Sequence, residues 1–308
     1  MTEDRSDPGG SSTSRPRPSP RSSRSATASS TSRSPGSASP RALLDAYRIE
    51  PTKALGQHFL IDPNLAGAIA ADTEAGPGDS VVEIGAGLGA LTTALAERGI
   101  DRVLAIEFDR ALVPALRAVA DAYPAVEVLA ADATKVDWPR TLGDGGWIAC
   151  GNLPYNVGTA IVLSMLARAP MVRRLVVMVQ REVAARLVAT PATREDYGPT
   201  SVRVAYFAEA TILRAVPPSV FWPRPSVGSA IVRMERRERP PVRADEGRLW
   251  RVVDEAFAQR RKTMRGALRR LGVDDPDAML AGADVNPSAR PEELDLAAFG
   301  RMAEALPA

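Results

Sequence analysis

The fold is decided by the segment Val81–Leu91, which reads VVEIGAGLGAL. A β-branched strand runs into Gly85, Gly87 and Gly89, and a helical pattern follows them. Glycines in such a turn let the backbone bend tightly and approach a ligand, because no Cβ stands in the way. The G-x-G-x-G spacing disfavours a pyrophosphate-binding loop, which has the spacing G-x-G-x-x-G. Since strand-to-helix turns also use glycine for purely structural reasons, the triplet alone is a moderate indication of a ligand site.

Acidic residues end the next two predicted strands. Glu107 lies eighteen residues after Gly89, where a carboxylate accepts hydrogen bonds from both hydroxyls of a ribose. Asp132 ends the third strand, where it is placed to accept a hydrogen bond from an adenine amino group. Open α/β sheets bind ligands at the carboxyl ends of their strands. Either acid alone is compatible with a solvated loop, but together with the glycines they predict a nucleoside cofactor site.

Around this segment, short apolar runs alternate with longer amphipathic stretches, which predicts an α/β fold with a mostly parallel sheet covered by helices. The predicted strands are Ser80–Ile84, Arg102–Ile106, Val126–Ala130, Trp147–Cys150 and Leu175–Gln180. The predicted helices between them include Ala90–Arg98, Ala111–Tyr123 and Ala160–Arg168. Two later runs, Ala210–Val216 and Ser229–Met234, predict an antiparallel pair that closes the sheet.

The chain is expected to have three parts. Residues 1–41 form a tail, residues 42–238 an α/β domain, and residues 239–308 a small all-α domain. The charged segment Glu235–Arg243 contains Pro240–Pro241 and is typical of a hinge between domains. The patterns of Leu249–Leu271 and Leu294–Leu306 predict the helices that follow it.

The tail has a composition of its own. Residues 1–40 contain fourteen Ser, six Pro and six Arg, so they cannot recover conformational entropy by burial and are expected to be disordered. A dispensable tail is the favoured interpretation. Its scattered arginines leave open an RNA-tethering arm, and its Arg/Ser-rich composition leaves open a transit peptide, although Glu3, Asp4 and Asp7 count against the latter.

Composition excludes several classes of site. Cys150 is the only cysteine of the 308 residues, which excludes an internal disulfide and a cysteine-cluster metal site. His58 is the only histidine, which excludes a histidine triad and a multi-histidine metal site. No apolar run approaches the roughly 20 residues that span a bilayer, and Met1–Gly10 lacks a signal-peptide core. We therefore expect a soluble, cytoplasmic protein without a metal. The net charge of +2 does not by itself indicate a nucleic-acid partner.

The fourth predicted strand ends in Cys150–Asn156, which reads CGNLPYN. This segment resembles the N-[LIP]-P-Y motif of methyltransferases that modify exocyclic amines. Together with Lys53–Leu60, which reads KALGQHFL, it resembles the ribosomal RNA adenine dimethyltransferase family. The match continues through Gln180–Val183, Tyr197–Gly198, Phe221–Val227 and Ala256–Thr263. Several motifs in the same order, from about Lys53 to Leu271, make the resemblance specific.

The resemblance implies a Rossmann-like class I methyltransferase sheet and S-adenosylmethionine as the cofactor. It also implies methyl transfer to N6 of two adjacent adenosines near the 3′ end of small-subunit ribosomal RNA, with the immature small subunit as partner and a monomeric enzyme. The implied cofactor contacts are His58, Leu60, Gly85, Gly87, Glu107, Asp132 and Asn152. Some relatives carry Asn where this chain has His58, and a structural role is about as well supported for that residue as a functional one.

The motif also predicts how the target base is held. The N6 amine of adenine is a poor nucleophile, so acceptors for its two hydrogens, on the Asn152 side chain and the Leu153 backbone, position it for attack. Pro154 stiffens the turn, and Tyr155 offers a flat face on which an unstacked base can lie. By resemblance, Phe221 covers the opposite face of the base. No general base is needed, so positioning is the main catalytic device.

A basic run near the C-terminus is the predicted RNA contact. Its residues are Arg260, Arg261, Lys262, Arg265 and Arg269. Positions 261, 265 and 269 are four apart on one predicted helix, so they form a stripe that can follow phosphates. A solvated helical face is the alternative. Arg181, Arg186, Arg224 and Arg233 are weaker candidates for extending this surface.

Two other functions stay open on the sequence alone. One is an antibiotic-resistance methylase of large-subunit ribosomal RNA, and the other is a non-catalytic ribosome-assembly factor. Leu153 between Asn152 and Pro154, together with the complete Gln259–Thr263 motif, favours the small-subunit enzyme. The presence of Asn152, Tyr155 and Glu107 argues against a loss of catalysis.

Overall fold

The computed structural model of the chain describes residues 40–50, 56–259 and 262–307. All of them belong to one compact unit. The expectations for residues 1–39, and therefore for almost all of the tail, lie outside the described residues. The first helix, α1 (Pro40–Tyr47), begins at the last two residues of the expected tail. Its Leu43 and Leu44 are buried and pack in one apolar cluster with Leu112 and Ala115.

A seven-stranded sheet occupies the centre of the molecule, with the order β4-β3-β2-β5-β6-β9-β7. Its strands are β2 (Ser80–Ile84), β3 (Arg102–Glu107), β4 (Val126–Ala130), β5 (Trp147–Asn152), β6 (Val172–Gln180), β7 (Ala208–Val216) and β9 (Ser229–Arg236). Strands β2 to β6 pair in parallel, whereas β9 is antiparallel to both β6 and β7. The predicted α/β class, the parallel strands and the closing antiparallel pair are confirmed.

The direction in which strands are added reverses at the centre of the sheet. The chain runs from β2 outward to β3 and β4, and then returns to place β5 on the other side of β2. Parallel sheets bind ligands outside the carboxyl ends of the strands at such a switch point. The ends of β2 and β5 are close in register, since Glu83 pairs with Cys150, so Gly85 and Asn152 follow side by side.

Helices cover both faces of the sheet. They are α2 (Pro63–Asp72), α3 (Ala90–Ala96), α4 (Val113–Ala120), α5 (Trp138–Leu142), α6 (Gly158–Arg168), α7 (Arg181–Val188) and α8 (Pro199–Phe207). Neighbouring residues of one strand point to opposite faces, so Val81 and Val82 belong to two different core clusters, and both are fully buried. Burial on both faces explains why the strands read as continuous apolar runs.

A second sheet has only two short strands. The strand β1 (Phe59–Leu60) pairs antiparallel with β8 (Phe221–Trp222), and the register joins Phe59 to Trp222 and Leu60 to Phe221. The peptide bond between Trp222 and Pro223 is cis. This small sheet brings residues 56–60 to the same edge as the glycine turn.

The C-terminal region consists of α9 (Glu246–Ala258), α10 (Met264–Arg270), α11 (Pro276–Gly282) and α12 (Leu296–Ala305). The prediction of a single helix over Leu249–Leu271 is wrong, because α9 ends at Ala258 and α10 begins only at Met264. Gln259 leaves the helical region with φ −131° and ψ 71°, and Thr263 is extended with φ −76° and ψ 162°. These helices share a core with Val202 and Tyr206 of α8.

No helix in the described part of the chain is both long enough and apolar enough to cross a membrane.

Candidate active site

A cleft of about 250 Å³ opens at the carboxyl edge of β2, β3 and β5. It is lined by residues from the segments 56–60, 83–91, 106–112, 131–134 and 152–157. All seven residues expected to contact a cofactor lie on this cleft, namely His58, Leu60, Gly85, Gly87, Glu107, Asp132 and Asn152. Leu153, Pro154 and Tyr155 line it as well. The strand order therefore gathers one group of residues that the sequence spreads over about a hundred positions.

The glycine turn requires glycine for two separate reasons. Gly85, Gly87 and Gly89 have φ values of 74°, 57° and 82°, in the left-handed region that other residues rarely adopt. A Cβ on Gly85 would lie 3.3 Å from the backbone oxygen of Asn152, and one on Gly89 would lie 3.0 Å from a methyl group of Val119. The turn thus keeps β2 close to β5 and leaves backbone facing the cleft.

The carboxylate of Glu107 is held by backbone on both of its oxygens. The N–H of Gly87 donates to Oε2 at 2.7 Å, and the N–H of Asp109 donates to Oε1 at 2.7 Å. The residue is 7% exposed, and burial raises the pKa of the carboxyl although these two donors oppose the rise. Each oxygen retains a further acceptor position. The arrangement is therefore suited to a pair of hydroxyl donors entering from the cleft.

Asp132 has a different environment. The hydroxyl and the N–H of Thr134 donate to its Oδ1 at 2.6 and 3.0 Å, and Lys135 lies 3.4 Å from its Oδ2. The hydrogen bond from the Thr134 hydroxyl lowers the pKa of Asp132. The carboxylate therefore stays ionised and acts as a hydrogen-bond acceptor on the cleft wall.

The side-chain amide of Asn152 has a fixed orientation. Its Nδ2 donates to the backbone oxygen of His58 at 2.9 Å. A backbone carbonyl can only accept, so the amide nitrogen must face His58 and Oδ1 must be the other end of the group. The turn continues with Leu153, whose N–H donates to Met178 at 3.0 Å, and with Pro154, whose carbonyl accepts from the first turn of α6.

Tyr155 is held at its hydroxyl and on its ring. The hydroxyl is 2.8 Å from the Oγ of Ser229, which is buried in β9. The ring centroid lies 5.1 Å from that of His58, with the planes tilted by 34°. Burial raises the pKa of the Tyr155 phenol, so it stays protonated. One aromatic face in the cleft is thus fixed in position before any base arrives.

His58 connects three parts of the site. Its Nδ1 is 2.7 Å from the carbonyl of Pro223, and since that oxygen can only accept, Nδ1 carries the hydrogen. Its ring packs on Tyr155 and its own carbonyl accepts from Asn152. The sequence supported a structural and a functional role for His58 about equally, and in the structure its ring and its backbone both make contacts that hold the site together.

Phe221, the second residue expected to stack on the target base, faces the core in this structure. Its side chain is 2% exposed and packs in a core cluster with Leu60 and Ile69, and it is not among the residues that line the cleft. Alternate residues of a strand face opposite sides, and in β8 the inward position falls on Phe221. Stacking of a target base on Phe221 stays a prediction, and it would require the ring to leave this buried position.

Three further residues of the site were not identified from the sequence. Glu83 is completely buried beneath the cleft, and Thr92 donates to its Oε2 at 2.5 Å. Burial raises the pKa of Glu83 to about 8. Phe108 directly follows Glu107 and is 57% exposed on the cleft rim. At Gly151, a Cβ would lie 2.2 Å from the backbone oxygen of Ile84. Of these three residues, only Gly151 could have been found from the sequence, as the glycine within CGNLPYN.

The predicted basic stripe is not continuous. Arg260 and Arg261 lie outside the described residues. Lys262 and Arg269 are exposed, but Arg265 forms an ion pair with Asp277 at 2.8 Å. Arg265 and Arg269 both lie on α10, which begins only at Met264, so these two residues are the part of the expected helical stripe that the structure describes.

The four arginines suggested as extensions of this surface differ from each other. Arg181 and Arg224 are exposed. Arg186 is paired with Glu182 on its own helix. Arg233 is bound by both Glu74 and Glu235, so its charge is already neutralised within the protein.

Comparison with known proteins gives consistent matches. The model of the family described as "Ribosomal RNA adenine dimethylase" matches residues 50–307. A protein of Kineococcus radiotolerans named "Ribosomal RNA small subunit methyltransferase A" is 44% identical over 269 residues, covering 85% of this chain and 88% of its own. A protein of the same name from Moorella thermoacetica is 42% identical over 277 residues, covering 86% of this chain and 96% of its own.

Solved structures share the fold. A dimethyladenosine transferase from Plasmodium falciparum superposes with a TM-score of 0.69 at 24% identity, covering 80% of this chain and 96% of that one. The 23S rRNA methyltransferase ErmE superposes with a TM-score of 0.63 at 28% identity, covering 80% of this chain and 99% of that one. Both similarities include the central sheet and most of the chain beyond it.

Proposed function

This chain belongs to the ribosomal RNA adenine dimethylase family, and from that premise we propose which RNA it acts on and how its residues do so. The enzyme uses S-adenosylmethionine to methylate ribosomal RNA. Its targets are N6 of two adjacent adenosines near the 3′ end of small-subunit RNA, in keeping with relatives named small-subunit methyltransferases. The observation that carries the proposal is the fixed amide of Asn152, whose oxygen is an acceptor within the cleft.

The residues of the cleft fit the cofactor. Glu107 presents two oxygens that backbone N–H groups hold in place, as the two hydroxyls of a ribose require. Asp132 is an ionised acceptor suited to the adenine amino group, and the exposed ring of Phe108 lines the same cleft. A side chain at Gly85 would crowd the Asn152 backbone at the centre of this surface. The bound cofactor supplies an electrophilic methyl group on a sulfonium sulfur.

The chain's own residues then position the amine. The Oδ1 of Asn152 and the backbone oxygen of Leu153 accept the two N6 hydrogens and favour a pyramidal nitrogen. Because Asn152 cannot rotate without losing its bond to His58, the acceptor is already in place when the base arrives, which lowers the entropic part of the barrier. After methyl transfer the nitrogen loses a proton to water, so no general base is assigned.

The base itself stacks on Tyr155. It must leave its RNA stack to enter the cleft, and the Tyr155 ring is held for it by His58 and Ser229. Tyr155 is the stacking face that already lines the cleft, whereas Phe221 is buried and would cover the opposite face of the base only after moving.

We also propose how the molecule meets its substrate. Residues 42–238 form the methyltransferase domain and residues 239–308 a helical RNA-binding domain, and the enzyme acts as a cytoplasmic monomer on the immature small ribosomal subunit. The RNA-binding surface includes Arg260 and Arg261 by resemblance, and Lys262 and Arg269 by their exposure. Arg265 contributes less because Asp277 already neutralises it.

Methylation of large-subunit RNA is the second candidate, because the ErmE structure superposes over most of this chain. The test is mass spectrometry of ribosomal RNA from a deletion strain that carries the parental gene, an Asn152→Ala variant or an Asp144→Ala control on an exposed loop. We expect dimethyladenosine in small-subunit RNA to depend on the parental or control gene and to be lost with Asn152→Ala. Loss from large-subunit RNA instead would overturn the proposal. Unchanged methylation with Asn152→Ala would remove that residue from catalysis.

A further inference from the structure

A hydrogen bond joins two distant segments of chain across the cofactor cleft. The Nε2 of Gln57 donates to the Oδ2 of Asp109 at 2.6 Å, between residues 52 positions apart. Both side chains are partly buried and both line the cleft. Gln57 comes from one wall, and Asp109 comes from the loop that follows β3 on another. A bond to a carboxylate is among the stronger hydrogen bonds in proteins.

The wall that carries Gln57 is a short strap, residues 56–60, which is attached to the rest of the site beyond Gln57. Phe59 and Leu60 pair with β8. The ring of His58 is bound to Pro223, and its carbonyl is bound to Asn152. At the other end, Gly56 has a φ of 63°, which turns the chain. The bond from Gln57 therefore joins the start of the strap to the loop after β3, beside the apolar packing of Phe59 on Leu88 and Leu112.

Asp109 connects this bond to the residue assigned to the ribose. Its Oδ1 accepts from the N–H of Ala111 at 2.9 Å, its Oδ2 accepts from Gln57, and its own N–H donates to Glu107 at 2.7 Å. All three contacts occur within one turn of chain. The backbone N–H that holds the Glu107 carboxylate thus belongs to the same residue whose side chain binds Gln57.

We propose that Gln57 and Asp109 are positioning residues that latch the strap over bound S-adenosylmethionine and hold Glu107 in place. The inference rests on the proposed function, because repeated methyl transfers on one RNA require spent cofactor to leave and fresh cofactor to enter. The latch sets how long the cofactor stays. Opening it frees the start of the strap, residues 56 and 57, while Phe59 stays packed on Leu112 and β1 stays paired with β8.

The test measures the dissociation rate of labelled S-adenosylmethionine from the full chain without RNA. Gln57→Glu places two carboxylates against each other, and Gln57→Met removes the donor with little change of shape. We expect either variant to release the cofactor faster by on the order of tenfold, the effect of losing a hydrogen bond to a charged group. Asp109→Asn should change the rate little, because the Gln57 amide can turn over and accept from the new amide donor.

Restoration of the parental dissociation rate in a double variant distinguishes a latch from general damage to the fold. Gln57→Glu combined with Asp109→Asn again pairs a carboxylate with an amide donor, so we expect the parental rate to return, whereas Gln57→Met combined with Asp109→Asn should stay fast. Melting temperatures check that every variant folds. Parental release rates in both Gln57 variants, or a failure of Asp109→Asn to rescue Gln57→Glu, would overturn the latch. The RNA target is read separately by mass spectrometry, so failure of the latch leaves the proposed function standing.

Discussion

Asn152 and His58 are joined by a hydrogen bond from the side-chain amide of the first to the backbone carbonyl of the second, at 2.9 Å, across 94 positions of sequence. The bond fixes which end of the amide is available to a substrate. His58 in the strap (residues 56–60) therefore orients Asn152, although β1 and β5 belong to different sheets. In the proposed mechanism, the amine is therefore positioned by both segments.

Removal of the Asn152 amide should abolish most turnover and spare cofactor binding. Asn152→Ala loses the acceptor that holds the amine, and groups used for positioning or charge stabilisation typically contribute about a hundredfold or more in rate. Single-turnover methylation of RNA and calorimetry with S-adenosylmethionine measure the two effects. Methylation at the parental rate would contradict the role given to Asn152.

The pair formed by Tyr155 and Ser229 should behave as a unit. Tyr155→Phe and Ser229→Ala each remove one side of a 2.8 Å hydrogen bond, so each should reduce turnover, and the double variant should be little worse than either single variant. The bond contributes about 1 kcal/mol, which corresponds to roughly fivefold in rate if it is used fully for positioning. Tyr123→Phe is the control, since its hydroxyl contacts Glu97 outside the cleft. Additive losses in the double variant would show that the two residues act separately.

Some of this site follows from the sequence and some does not, for physical reasons. Glu107 and Asp132 were predicted because strand ends gather at one edge of a parallel sheet. The pairing of β1 with β8 was missed, because strands of two residues carry no periodic pattern and their partners lie about 160 residues apart. The break after Gln259 was missed because Arg, Lys and Met favour helices and only tertiary context ends one there.

The pH dependence of stability should reveal Glu83. Its pKa in the folded protein is about 8 because it is buried, whereas in the unfolded chain it is near the model-peptide value of about 4.3. Between these two pKa values the folded protein keeps a proton on Glu83 that the unfolded chain has lost. The contribution of protonated Glu83 to the free energy of unfolding is therefore fully present below the unfolded pKa and is lost as pH rises to about 8.

In that window the free energy of unfolding should fall by roughly 1.4 kcal/mol per pH unit because of this one group. Glu83→Gln is neutral at every pH and keeps an acceptor for Thr92, so its unfolding free energy should fall less steeply. Urea titrations of both proteins at several pH values measure the difference. Equal slopes for the two proteins would show that Glu83 is ionised when folded.

Gly151 should tolerate no side chain. A Cβ there would lie 2.2 Å from the backbone oxygen of Ile84, so Gly151→Ala would force β2 and β5 apart beneath the glycine turn. Overpacking typically costs about 1–3 kcal/mol and occasionally more. Because the Ile84 backbone is held in the sheet, we expect the loss of stability to lie at the upper end of this range. Gly146→Ala is the matched control, because its Cβ would meet only Arg173 at 3.9 Å. Equal melting temperatures for the two variants would contradict this account of the β2–β5 contact.

The break between α9 and α10 changes what is expected of the RNA-binding surface. Lys262 and Arg269 are exposed, whereas Arg265 is paired with Asp277 and has less charge to offer a phosphate. Lys262→Ala combined with Arg269→Ala should weaken RNA binding and flatten the log-log salt dependence by about 1.5 units, since each phosphate contact contributes a slope near −0.7 to −0.9.

Arg265→Ala should change that slope by much less, and Arg117→Ala, an exposed arginine on α4, should not change it at all. Titrations of a small-subunit RNA fragment at several salt concentrations measure all three variants. Cofactor affinity should be equal in each, because none of these residues lines the cleft. An unchanged slope in the Lys262 and Arg269 double variant would mean that these side chains form a solvated surface. RNA binding would then have to rest on residues nearer the cleft, where Arg181 and Arg224 are exposed.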